Sequence, residues 1–476
     1  MLNSVSQTFV SSSKSFLLRP GTFVCNSKLN KANLIPCTIL PLTRTTRVYR
    51  NTRAFSSVPN NFIPVKQQLK NQILATGPIS IAEFMKISLT SPMGGYYASS
   101  TVFGSEGDFV TSPEISQVFG ELIAIWYLMV WQQRGSPDSV ELIELGPGKG
   151  TLMSDMLRTF SKFPKFLKSL KCVHMVEVSE KLRKVQAEKL SCTKDGSSHT
   201  TLSQTNDTNT PPSLVSQITN TNIKWHYSFD GIQLAPNSMA ILTAHEFFDA
   251  IPIYRFQRES SGWSEILVDL VDSQKTLSSR NNDSIPTVQS YTSQPDPSLS
   301  SSSNASIFKF VKTKKPTLNS EIFLKNHTLS SKVEIGHSVE ISPDSGAVAQ
   351  KIASMIDSSN GIALIIDYGK NHPQSSTFRG ISKHKFVDPL TEPGTIDLTA
   401  DVDFSYLSDS IKDFGAFLHK MGIQERMQQL YKSTTDPTTQ KNLVLAYERL
   451  ASPKRMGSIY KFYSIAPKSS PCPIAF

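Results

Sequence analysis

Apolar residues along this chain follow two periods, separated by long polar stretches. From about residue 62 to 134 the spacing is helical, in Ile79-Ser80-Ile81-Ala82-Glu83-Phe84-Met85 and again over 115–131. Ser112-Pro113-Glu114 predicts a helix start, with serine at the N-cap and proline at the first helical position. Residues 139–145 form a short apolar run ending in glycines and predict a buried strand. The helix after it carries Leu152, Met153, Met156, Leu157 and Phe160 on one face. Further strands are expected at 172–178, 223–227, 239–243 and 362–367, with a helix capped by Ser179 after the first of them and a helix over 346–355 before the last. Strand and helix alternating in this way predict an α/β, doubly wound sheet of the Rossmann-like kind, preceded by a helical region.

The polar stretches divide this pattern. Residues 191–220 are rich in Ser, Thr and Asn with paired prolines, and are expected to be a disordered insertion. Residues 272–305 are a Ser-rich, low-complexity loop, also expected to be disordered, between strands at 263–271 and 307–311 that suggest an inserted hairpin or cap. The expected organisation is a helical region over 56–135, a first part of the core over 136–256, a cap over 257–340 and the rest of the core over 341–476. The longest apolar run, 122–131, falls short of the ~20 residues of a membrane span and reads as a buried helix.

Charge alters the picture at one end only. The 476 residues include 49 Lys+Arg and 39 Asp+Glu, a formal excess of +10. Residues 1–82 hold ten basic side chains and no acid, so the body from Glu83 onward is neutral, with 39 of each sign. A basic body gripping nucleic acid is thereby excluded. Residues 1–55 are Arg/Lys-rich, Ser/Thr-rich and acid-free without an uninterrupted apolar segment, the composition of a mitochondrial transit peptide, with cleavage expected after Phe55 in Arg53-Ala54-Phe55. A basic tail without that role is the alternative. The five cysteines show no paired or metal-type spacing, which fits a reducing compartment.

Candidate chemistry begins at Glu144-Leu145-Gly146-Pro147-Gly148-Lys149-Gly150-Thr151, between the first core strand and its helix. Glycines there let the backbone approach a ligand, and the helix N-terminus offers free N–H groups. The third glycine of a dinucleotide fingerprint would fall at 151, which is Thr; the tighter G-x-G-x-G after an acid is the form used with S-adenosylmethionine (SAM). Glu177, at the end of the second strand, is placed to take both ribose hydroxyls, and Asp230, after the third, is a candidate for the adenine side. The fourth strand runs into His245-Glu246-Phe247-Phe248-Asp249. Two carboxylates three apart can hold a guanidinium bidentately in line with a sulfonium, or can simply favour a helix dipole. Residues 107–114, including Asp108, Ser112 and Glu114, suggest a loop closing over the cofactor or a capped helix entry. Asp397, Asp401 and Asp403 lack the glycine and final glutamate of a calcium loop, so a structural or substrate-side loop is expected and no metal.

Taken in order, these blocks resemble the MidA-like family of mitochondrial complex I assembly methyltransferases. The match runs through Gly95-Tyr96-Tyr97, residues 107–116, the glycine turn, His174-Met175-Val176-Glu177-Val178, the 245–249 block, Asp367-Tyr368-Gly369, Phe378-Arg379-Gly380, residues 394–406 and Met421-Gly422-Ile423, over most of 62–465. The resemblance implies a SAM-dependent protein arginine methyltransferase of the mitochondrial matrix, which symmetrically dimethylates an arginine of a core subunit in the peripheral arm of complex I. It carries the cofactor role onto Gly146, Gly148, Gly150 and Glu177, and the substrate role onto Glu246 and Asp249. Glu144, Pro147, Asp108, Ser112, Glu114 and Asp230 complete the expected cofactor site. The chain departs from the family pattern in its two polar insertions and in a shorter segment at 407–417. A non-catalytic assembly chaperone on the same fold and a nicotinamide-dependent oxidoreductase are the rival functions.

Overall fold

The computed structural model describes residues 63–98, 111–193, 213–271, 288–290, 306–324, 333–407, 412–452 and 454–476. The proposed transit segment and Asp108 lie outside them, as do residues 194–212 and most of 272–305. The apolar run at 139–145 forms β1 (Val140–Leu145), buried along its whole length. β2 (Leu170–Val176), β3 (Thr221–His226), β4 (Met239–His245) and β5 (Ile362–Lys370) join it in parallel, and β6 (Tyr460–Ile465) pairs antiparallel with β5. The spatial order is β3-β2-β1-β4-β5-β6, a doubly wound α/β sheet that four short strands, three antiparallel and one parallel, extend to ten.

Parallel strands need cover on both faces, and the sequence supplies it with apolar helices. On one face α3 (Gln117–Gln133) and α4 (Thr151–Phe160) bury Phe119, Trp126 and Phe160 together with Phe417 and Phe462. Each such side chain contributes ~1.5–3 kcal/mol on burial. On the other, α6 (Pro343–Ser358) sets Ile352 and Ile356 against Ile143, Leu242 and Ile365. Between α4 and α6 in sequence, α5 (Glu180–Lys189) starts at Ser179, whose hydroxyl accepts the Leu182 amide.

A second, antiparallel sheet stands beside the first. Its main strands are Tyr254–Glu259, Gly262–Leu270, Phe308–Thr313 and Ser338–Ile341, and helices α1 (Val65–Thr76) and α2 (Ile81–Thr90) share its core through Leu69, Phe84, Ile266 and Phe308. Arg255 and Glu340 form a buried pair across it at 2.6 Å. The Thr377 and Phe378 amides also donate to Glu340, and with Arg255 they outweigh burial and hold its carboxyl below the ordinary range.

Several elements differ from the periodicity. Ile79–Ser80 is a strand, not helix: Ile79 pairs with Val268, and the Ser80 hydroxyl caps α2 by accepting the Glu83 amide. Ser112 is not an N-cap; Thr111 precedes a single turn, Ser112–Ile115, and α3 starts afresh after Ser116, whose hydroxyl accepts the Val118 amide. The expected insertion at 191–220 contributes strand Ser213–Ser216, paired with β3, and the Ser-rich loop contributes Val288–Ser290, paired with the Phe308–Thr313 strand. β2 stops at Val176, which leaves Glu177 just beyond the strand. In the shortened segment, Lys412–Asp413 pairs with β6. Among the described residues no helix is long and apolar enough to cross a membrane.

Candidate active site

The strand register brings three turns to one edge. Leu145 stands level with Val176 on one side and Ala244 on the other. One further bond past each strand fixes the turn beyond it: Gly146 N–H to Val176 O (3.0 Å), Glu177 N–H to His226 O (2.9 Å) and Glu246 N–H to Ile366 O (2.9 Å). The order reverses between β1 and β4, so this is the crevice where doubly wound sheets bind ligands. A cavity of about 480 Å³ opens there, lined by the glycine turn, Glu177, Tyr227, Glu246 and Asp249 among others. Gly146 has φ +61° and a Cβ on it would come within 3.0 Å of the Phe247 ring; Gly150, at φ +78°, begins α4.

The described residues expected for the cofactor line or border the part of the cavity that carries the glycine turn. Glu144 is buried beneath the turn, pushed up to about 8 by burial, and its Oε2 has no hydrogen-bond partner among the described residues. The Glu177 carboxylate accepts the Ser179 amide (2.8 Å) and Gln186 Nε2 (3.1 Å), while burial pushes it upward. Gln186 also donates to Gly148 O (2.7 Å) and so ties Glu177 to the turn. Glu114 pairs with Lys149 at 3.2 Å through one oxygen; its other oxygen and the buried Ser112 hydroxyl have no hydrogen-bond partner among the described residues. Pro147 lines the same wall. Asp230 stands at the rim, largely exposed, with its carboxylate 2.7 Å from Lys351 Nζ.

The 246–249 turn is held from behind. Glu246 takes a left-handed conformation (φ +49°) that few non-glycine residues adopt outside constrained sites. Asp367, fully buried within β5, accepts the amides of Phe247 (3.2 Å), Phe248 (2.9 Å) and Asp249 (3.2 Å) on Oδ2. Tyr460 on β6 donates to Glu246 Oε1 (3.1 Å), the Ser112 amide also reaches that carboxylate, and Thr399 donates to Asp249 Oδ2 (2.8 Å). Burial, with Asp249 adding repulsion, pushes Glu246 up to about 8; burial also lifts Asp249 to about 6, although Thr399 and Arg379 oppose it. Such a wall is costly to ionise when empty and is relieved by a cation. Tyr97 and Asp397, bonded at 3.3 Å, line the cavity as well. Asp401 pairs with Arg379 and Asp403 accepts the Ser405 amide, so both are engaged within the protein. Asp367 and Tyr460 carry no local motif: one lies within an apolar strand, the other on the last strand.

Residues 122–422 match the model of a family described as putative S-adenosyl-L-methionine-dependent methyltransferase. This chain belongs to that family. Its cofactor is S-adenosylmethionine. The methyltransferase is 39% identical over 412 residues to a Danio rerio protein named "Protein arginine methyltransferase NDUFAF7, mitochondrial", covering 84% of this chain and 86% of that one. The human protein of the same name is 34% identical over 423 residues, covering 86% and 84%. These relatives are named mitochondrial, which supports a mitochondrial location for the methyltransferase. A crystal structure of a likely methyl transferase from Burkholderia thailandensis, bound to S-adenosyl-homocysteine, superposes with a TM-score of 0.62 at 20% identity, covering 87% of this chain and 94% of that one, and shares the fold.

Proposed function

We propose that this methyltransferase transfers the SAM methyl group to an arginine side chain of a protein, in the mitochondrial matrix. The observation that carries the reading is the pair of carboxyls, a largely buried Glu246 and a buried Asp249, in the wall of a cavity that also contains the glycine turn. The residues present suit the cofactor: Gly146, Pro147 and Gly148 line the cavity, a Cβ would crowd the Phe247 ring at Gly146 and Gln186 at Gly150, and the oxygens of Glu144 and Glu114 that lack a partner among the described residues suit an ammonium group. In this reading Glu177 takes the ribose hydroxyls, Asp230 edges the adenine side, and Glu144, Ser112 and Glu114 hold the amino-acid end. Asp108 is assigned to the closing side of the same site on the resemblance alone. The cofactor supplies an activated methyl on a sulfonium, so the protein's task is chiefly positioning.

Glu246 and Asp249 bind the guanidinium through charge-assisted hydrogen bonds, and the incoming cation draws both into the ionised form. Tyr460 and the Ser112 amide fix the Glu246 carboxylate on one side, and Asp367 fixes the turn, so the attacking nitrogen is held in one orientation. The Glu246 carboxylate, ionised in that complex, is also the acceptor placed for the proton that nitrogen releases. The names of the relatives support arginine as the substrate. The family resemblance supports symmetric dimethylation of a core subunit in the peripheral arm of complex I, and hence a role in its assembly. Incubation of the protein with labelled SAM and that subunit tests the proposal: label is expected on arginine, and label only on other residues, or none, would refute it.

A further inference from the structure

On the sheet face covered by α6 lies a line of polar side chains. Glu141 on β1, His174 on β2 and His226 on β3 are each less than a tenth exposed. They bond in sequence from strand to strand: Glu141 Oε2 is 2.7 Å from His174 Nε2, and His174 Nδ1 is 2.9 Å from His226 Nε2. Both ends leave the sheet for the same loop. The Ala235 amide donates to Glu141 Oε1 (2.7 Å), and His226 bonds to the backbone of Gly231. Burial pushes Glu141 upward, but the bonds from His174, Ala235 and Ser238 outweigh it and hold the group below the ordinary carboxylate range. His174 Nε2–H therefore donates to a carboxylate. Burial and the neighbouring His174 push His226 down to about 4, so it is neutral.

Ionisable groups on a face otherwise filled by Ile143, Leu145, Val176 and Leu242 cost desolvation that apolar side chains would avoid. What apolar side chains would lose is the fastening of the loop. Tyr227, Ser228, Phe229 and Asp230 line the cavity beside Glu177. The Glu177 amide itself bonds to the His226 carbonyl (2.9 Å), so the acid and the wall depend on one residue. We propose that the Glu141–His174–His226 relay is a positioning device, which sets the wall at residues 227–231 and with it the affinity for the adenosine part of the cofactor. The proposal rests on reading this cavity as the cofactor site. A metal centre is the competing use, since ligand atoms of Glu141, Cys172 and His174 lie within 4.8 Å of one another. Against it, both partners of the 2.7 Å bond are already engaged, and burial pushes the Cys172 thiol up to about 11, away from the thiolate a metal needs.

The test is calorimetric titration of S-adenosylhomocysteine into the full-length protein and three variants, with thermal melts run alongside. His174→Phe and Glu141→Leu are expected to bind roughly tenfold more weakly, about the worth of one hydrogen bond in the wall. Glu141→Gln is expected to bind like the parent, because its carbonyl still accepts from Ala235 and its NH₂ can donate to the other His174 tautomer. Equal affinity in all folded variants would overturn the proposal, as would Glu141→Gln binding as weakly as Glu141→Leu. If His174→Phe does not fold, the Leu and Gln pair decides alone. Stoichiometric zinc in the purified protein would also overturn it in favour of the metal centre. Failure of the parent itself to bind would instead sink the cofactor-site reading.

Discussion

Glu246 and Asp249 sit where water is scarce, and burial leaves them at about 8 and about 6 in the free enzyme. A guanidinium needs both ionised, so the working fraction of the enzyme is the product of the two ionised fractions. At pH 7 only about a tenth of Glu246 is ionised, while Asp249 is almost wholly so. Arginine methylation therefore falls as pH falls. From about pH 6 to about pH 8 the ratio kcat/KM should rise roughly hundredfold and then level off, since this ratio reports the free enzyme. Initial rates of methyl transfer to the proposed substrate, the complex I subunit, at saturating SAM, measure it directly. Glu246→Gln should be slow and should lose the rise above about pH 7. A profile that is flat over this range, or that falls as pH rises, would refute the reasoning, because it would mean that the carboxyls are not the groups that receive the cation.

Three further outcomes are expected from single substitutions. Tyr460→Phe removes the phenol that lowers Glu246, so the same profile should move to higher pH while S-adenosylhomocysteine binding stays constant; an unmoved profile would show that this bond does not tune the site. Gly146→Val places branched carbon at φ +61° against the Phe247 ring, and titration should show loss of S-adenosylhomocysteine binding with the fold retained by circular dichroism. Glu340→Ala strands a buried Arg255 and two amides, and should cost about 3–5 kcal/mol in denaturant unfolding; a loss under about 1 kcal/mol would mean that solvent reaches Arg255 readily.

Much of the fold was legible because it is local. A buried strand, a glycine turn and a helix follow one another in fewer than thirty residues, and β1 and α4 stand where their apolar period put them. The rest depends on partners far along the chain. Ile79 has helical neighbours but a vacant edge on the Gly262–Leu270 strand takes it, and Val288–Ser290 pairs despite a composition that argues for disorder. Tyr460 reaches Glu246 across 214 positions, and Asp367 meets three amides about 120 residues upstream; neither distance leaves a trace in local spacing. Asp230 combines the two. Its place after β3 puts it at the cavity rim, while its partner there, Lys351 of α6, lies 121 positions on. The Glu141–His174–His226 line was invisible because it takes a single residue from each of three separate strands.

The measurement that bears most directly on the proposed activity is residue-level mass spectrometry of the complex I subunit after reaction with this protein and isotopically labelled SAM. The expected result is methyl label on an arginine as symmetric dimethylarginine, lost together with Glu246 and Asp249 when both are made amides. Label confined to other side chains, or arginine label undiminished in that double variant, would contradict it.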